Sequence, residues 1–200
     1  MKDTKARIQQ TALDLFSRRG YEAVSVSDIA GALGMTKGAL YRHFESKQAI
    51  FESILGAMEE ADARQARSFE LPEEGADADP AAYEGAAPER ILSFSLAMFR
   101  HWTEDPFAAA FRRLLTLEQY RSPQMGRLYR QYLSEGPMNY VADLLGGLGL
   151  PDPLGRAAAF YGPMFLLYSV YDGAEDKEAV TALLADTLKK EMKDLMGGKV

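Results

Sequence analysis

The stretch from Ser25 to Phe44 constrains this chain more than any other, because about twenty residues prescribe two short helices and the reversal between them. Ser25-Val-Ser-Asp28 is a Ser-x-x-Asp capping pattern, and Val26, Ile29, Ala30 and Leu33 follow at i, i+3, i+4 and i+7. Gly34 ends this helix, since a glycine in the left-handed conformation satisfies the last carbonyls without a Cβ penalty. Thr36 caps the next helix, in which Leu40 and Phe44 lie one turn apart and face inward. Ala30, four residues before Gly34, puts a small side chain where the two helices must cross closely. A capped short helix, a glycine turn and a second short helix make a helix-turn-helix signature.

With Leu40 and Phe44 inside, Thr36, Lys37, Gly38, Tyr41, Arg42 and His43 are left on the outer face and ends of the third helix. These residue types touch nucleic acid. Lys37 and Arg42 can neutralise phosphates or donate to guanine edges, Thr36 and Tyr41 can hydrogen-bond phosphate oxygens, and Gly38 with Ala39 lets the helix approach a groove without bulk. The net charge of −6 argues the other way, but its distribution does not. Residues 1–50 carry eight basic and five acidic side chains, a net +3, whereas the remaining 150 residues sum to −9.

Helical patterns flank the motif on both sides. Ile8, Ala12, Leu15 and Phe16 form the buried stripe of a first helix from about Thr4 to Arg19, with Gly20 as its stop. Ser46 caps a fourth helix, which buries Ile50, Phe51, Ile54, Leu55 and Met58 and continues toward Arg67. From Glu70 to Glu89 there are seven acidic residues, three prolines and no basic residue, which reads as an exposed acidic loop. Further helices are expected at Glu89–Glu104, Pro106–Tyr120, Pro123–Leu148, Pro153–Tyr171 and Glu175–Met196, and strand-like alternation appears nowhere. The fold class is therefore all-α with about nine helices, a three-helix head at 1–48 followed by a larger helical core at 49–200. The last two helices are so apolar that they must be covered, by the rest of a monomer or by their copies in a second chain.

Several function classes fall away. The absence of cysteine removes disulfides, thiolate metal sites and cysteine nucleophiles. No apolar run approaches the ~20 residues of a membrane span, and no apolar segment follows Met1, so a cytoplasmic chain without membrane association is expected. Only His43 and His101 are present, and neither has a nucleophile–base or paired-metal spacing. His101 and Glu104 stand one turn apart, but the further inward Glu and His ligands of a di-metal bundle are missing, so neither an enzyme nor a bound metal or cofactor is expected.

The run "SVSDIAGALGMTKGALYRHFESK", within a match over roughly residues 4–58, resembles the N-terminal domain of the TetR/AcrR family of transcriptional regulators. Its helix-start serines, Ile-Ala, Leu-Gly, Leu-Tyr, His-Phe and Ser-Lys sit at that family's spacing. The remainder resembles the family only in length, helical pattern and an apolar final helix pair. The resemblance implies a homodimer joined through the last two helices, a head that binds a double-stranded operator, and a core whose pocket takes a small-molecule effector that releases DNA. It further implies that Ser25 and Ser27 contact phosphate, that Lys37, Gly38 and Ala39 face bases, that Tyr41 and His43 contact the backbone, and that Lys47 meets a phosphate. Asp28 departs from the basic or polar residue of some members and is expected to cap its helix rather than touch DNA. The core's many aromatics and methionines suit a mostly apolar cavity with a few polar handles, and Met98, Trp102, Phe111, Tyr129 and Tyr168 are the expected lining. The competing reading is a helical protein that binds a small molecule or partner without sequence-specific DNA binding.

Overall fold

Among the described residues the chain forms ten α-helices and no strand. The structure is a computed structural model that describes residues 2–72, 83 and 87–197; the acidic stretch expected as a loop lies mostly outside these residues. The helices are α1 (Lys2–Arg19), α2 (Val26–Ala32), α3 (Lys37–Tyr41), α4 (Lys47–Ser68), α5 (Pro88–Glu104), α6 (Pro106–Glu118), α7 (Pro123–Leu133), α8 (Glu135–Gly147), α9 (Pro153–Gly173) and α10 (Lys177–Leu195). They group into two compact units. The first comprises 1–61 and 106–129, the second 62–105 and 130–200. Residues 106–129 thus share a unit with the helix-turn-helix, through the contact of α6 with α1, although they are distant from it in sequence.

In the first unit Ile8, Ala12, Leu13 and Phe16 of α1 are fully buried with Ile29, Leu40, Ile50, Phe51, Ile54 and Met58. Leu15, expected in the stripe, is half-buried, and Leu13 takes the core position. α1 is covered by more than one neighbour, since α6, with its own buried Phe111, Leu114 and Leu115, packs along it as well as α2. Just after α1, at Gly20, φ is +86° and an added Cβ would lie 2.5 Å from Arg121 Nη1 and 2.6 Å from Glu118 Oε1. Only glycine tolerates both that backbone conformation and that contact. Glu118, buried on α6, pairs with Arg121 at 2.9 Å there.

In the second unit α8, α9 and α10 pack in succession, and α5 lies against α9 and α10. Phe99 of α5 stacks on Tyr168 of α9 with ring centroids 5.3 Å apart and meets Tyr171 edge-on at 5.8 Å. The helix expected over 123–148 is two helices instead. Proline at position 137 has no N–H to give the carbonyl four residues back, at Leu133, and its ring crowds that carbonyl. The chain breaks at Ser134 (φ −134°, ψ −83°), and the freed Leu133 carbonyl accepts from the buried Tyr161 hydroxyl at 2.9 Å. α9 starts where expected, with Asp152 accepting from the Gly155 N–H at 3.2 Å and Pro153 in the first turn. One side of α9 remains open to solvent, with Ala158, Ala159, Gly162, Phe165, Leu166 and Val170 exposed.

Candidate nucleic-acid interface

Local chemistry builds the first half of the motif. Ser25 accepts from the Asp28 N–H at 3.1 Å, while the Asp28 carboxylate accepts from the Ser25 N–H at 2.8 Å and from the Ser25 hydroxyl. This reciprocal capping box satisfies donors that the first turn of α2 would otherwise leave open. The hydrogen bonds from Ser25, reinforced by Arg19 at 3.3 Å, lower the Asp28 pKa from 3.8 to about 2. Asp28 is thus a cap, as the sequence suggests, and its charge is matched by Arg19.

The turn follows a Schellman geometry. The Met35 N–H reaches the Ala30 carbonyl at 2.9 Å and the Gly34 N–H reaches the Gly31 carbonyl at 3.1 Å, with Gly34 at φ +64°. Thr36 then accepts from the Ala39 N–H at 3.1 Å and starts α3 one residue later. Leu40 is fully buried and Phe44 nearly so, which fixes the opposite face outward.

That outward face carries Thr36, Lys37, Gly38, Tyr41 and Arg42, all exposed. Ala39 and His43 are half-buried at its margin. The Lys37 ammonium lies 5.7 Å from the centroid of the Tyr41 ring, so the two side chains form one cationic, amphipathic ridge. A Cβ added to Gly38 would meet no atom within 4 Å. The fold therefore does not require glycine there, and a glycine inside a helix costs roughly 0.5–1 kcal/mol relative to alanine. An open, bulk-free spot on an exposed helix is what close approach of a large partner needs.

The remaining expected contacts are placed unequally. Ser25 and Ser27 are exposed at the start of α2, with the Ser25 hydroxyl engaged in the capping box. Lys47 is not a solvated side chain. Its ammonium donates to the Tyr21 carbonyl at 2.9 Å, lies 4.2 Å from the Tyr21 ring centroid and sits 3.7 Å from Glu22. It ties the start of α4 to the turn that follows α1. One basic neighbour of α3 comes from a distant part of the chain: Lys5 of α1 has its Nζ 5.4 Å from the centroid of the Phe44 ring. Its position depends on how α1 packs, which nothing in the local pattern around Phe44 reveals.

The five expected effector-lining residues divide between the two units. Phe111 is fully buried in the first, where Tyr129 is half-buried and its hydroxyl is pushed above the ordinary tyrosine value by burial, opposed by a hydrogen bond with Gln119. Met98, Trp102 and Tyr168 belong to the second unit, where the Trp102 ring stands 6.3 Å from Tyr132. His101 faces Asp62 of α4 at 3.8 Å, and its neighbour Glu104 instead faces Arg100 at 3.9 Å. Burial holds the His101 pKa below its ordinary value, against the opposing pull of Asp105. Among the described residues no group of three or more His, Cys, Asp or Glu side chains could hold a metal ion, and no helix is long and apolar enough to cross a membrane.

Comparison with known proteins falls on the same stretch. Residues 8–54 match the model of the family described as bacterial regulatory proteins, tetR family. The chain is 31% identical over 114 residues to the HTH-type transcriptional regulator AcrR of Shigella flexneri, a match spanning 57% of this chain and 46% of that protein. It is 42% identical over 48 residues to IcaR, a negative transcriptional regulator of a biofilm operon in Staphylococcus aureus strain Newman, spanning 24% of this chain and 26% of that one. Each match thus spans less than half of the relative's own length. The crystal structure of a TetR-family transcriptional regulator from Bordetella parapertussis shares the fold, with a TM-score of 0.64 at 20% identity over 100% of this chain and 97% of that one. The capping box, the glycine-anchored turn and the exposed face of α3 lie inside the segment that the family model matches, so residues 8–54 are similar to the N-terminal segment of bacterial regulatory proteins of the tetR family.

Proposed function

We propose that this chain is a DNA-binding transcriptional regulator, a repressor that grips a near-palindromic operator as a homodimer and lets go when a small molecule binds in its core. The exposed ridge of Lys37, Gly38, Tyr41 and Arg42 on a rigidly capped α3 carries the reading. Lys37, Gly38 and Ala39 approach base edges in the major groove, and Thr36, Tyr41, Arg42 and His43 hold the phosphates beside them. Ser25, Ser27 and Lys47 position the head on the backbone from the starts of α2 and α4. Residues 1–48 form the DNA-binding part and 49–200 the effector-binding and dimerisation part. The exposed apolar side of α9, together with Leu183 of α10, supports pairing of the last two helices with their copies. Met98, Trp102 and Tyr168, which share the second unit, line the effector pocket in this reading. Repression as the default state has support in the description of IcaR as a negative regulator. No catalytic step, metal or cofactor enters the scheme, and its setting is the cytoplasm.

Selection of bound sequences from random duplex DNA by the purified full chain, with its mass measured in solution, tests the proposal. Recovery of a near-palindromic site bound by a dimer is expected. Affinity for that site should fall steeply with added salt, and the Lys37→Ala, Arg42→Ala double variant should lose the site by about tenfold or more while keeping its fold. A chain that enriches no sequence leaves the helical ligand-binding or partner-binding reading in its place, whereas a double variant that binds as the parent does removes Lys37 and Arg42 from the interface.

A further inference from the structure

Lys5 is exposed near the start of α1, yet its ammonium stands beside the end of α3, 5.4 Å from the centroid of the Phe44 ring. Phe44 follows directly on Arg42 and His43, and its N–H still bonds back to the Leu40 carbonyl at 3.2 Å. Lys37 opens α3 and Lys5 therefore flanks its far end. Among the described residues Lys5, Lys37 and Arg42 have no carboxylate within ion-pair distance, whereas Arg19 is paired with Asp28 and Lys47 with Glu22. An aromatic face orients a cation through its quadrupole without neutralising it, so the Lys5 charge is held in place and kept available.

We propose that Lys5 is a phosphate contact of the DNA-bound head, which extends the interface from α2 and α3 onto α1. This rests on the regulator reading above. A compact ammonium on a flexible stem, placed off the helix that faces the groove, acts as a point charge against a phosphate and lacks the planar fork that reads guanine. Its contribution is therefore independent of base sequence.

The test measures binding of the full-length parent, Lys5→Ala and Lys5→Arg to the selected operator and to a random duplex across a salt series. Each phosphate contact contributes about 0.9 to the slope of log affinity against log salt. Lys5→Ala should flatten that slope by about 0.9 for each bound head, weaken operator and random duplex to the same degree, and leave the thermal unfolding profile as it is in the parent. Lys5→Arg should restore the slope. An unchanged slope in Lys5→Ala, or a loss confined to the operator, overturns the assignment while the regulator reading stands. A parent chain that binds no duplex overturns both.

Discussion

Gly38 is the residue at which stability and the proposed recognition pull apart. Its Cα faces open space on a five-residue helix, so alanine would fit the fold and favour the helix. Gly38→Ala should raise unfolding free energy by roughly 0.5–1 kcal/mol while weakening operator binding, because the added methyl stands between α3 and the groove. Denaturant titration alongside DNA binding checks it, and a variant that gains stability without losing affinity would remove Gly38 from the interface. Asp28 makes a prediction in pH. Its carboxyl is depressed from 3.8 to about 2, so its stabilising effect is fully present above the unfolded value and is lost as pH falls through the folded one. Asp28→Asn should accordingly lower the melting temperature at neutral pH, and the gap from the parent should close as the pH drops from about 4 to 2. A gap of constant size down that range would show that the cap works without its charge.

Helix boundaries here follow from single hydrogen-bonding groups. α2 ends where Gly34 closes a Schellman turn, and α7 ends where Pro137 leaves the Leu133 carbonyl without its helical donor. The Tyr161 hydroxyl of α9 fills that vacancy, joining two helices through one buried bond. Tyr161→Phe would leave a buried acceptor unsatisfied, at a cost of about 1–3 kcal/mol. A lower urea midpoint with an unchanged denaturant slope is the expected result, and a neutral substitution would mean that the carbonyl finds another donor.

For the molecule as a whole, the uneven charge suits a basic head joined to an acidic body, and the open side of α9 suits a second copy. Leu166 is 64% exposed and Phe165 42% exposed, beside small residues that permit close helix approach. If the proposed dimer forms through this face, Leu166→Glu should convert it to monomer in sedimentation and reduce operator affinity by on the order of tenfold or more, since two linked heads gain from effective concentration. A variant that stays dimeric would move the proposed interface elsewhere.

The helix-turn-helix could be read directly from the chain because every element of it is local. Ser25 finds Asp28 three residues on, Gly34 reverses the backbone within one turn, and Thr36 caps the helix that follows, so short-range capping chemistry suffices. The outward face of α3 was legible for the same reason, once Leu40 and Phe44 were recognised as its buried side. Other features needed the packed chain. Period alone cannot choose between Leu13 and Leu15 on α1, because they occupy opposite flanks of one stripe, and only packing against the other helices, α6 among them, decides which flank is buried. The division of 123–148 followed from a proline visible in the chain, but the partner that stabilises the break, Tyr161, lies beyond any local window. Lys5 reached α3, and residues 106–129 joined the first unit, only through contacts between segments far apart along the backbone. Hydrogen bonds within a turn are written in adjacent residues, whereas the choice of which surfaces meet belongs to the collapsed chain, where burial of apolar area is shared among all its helices.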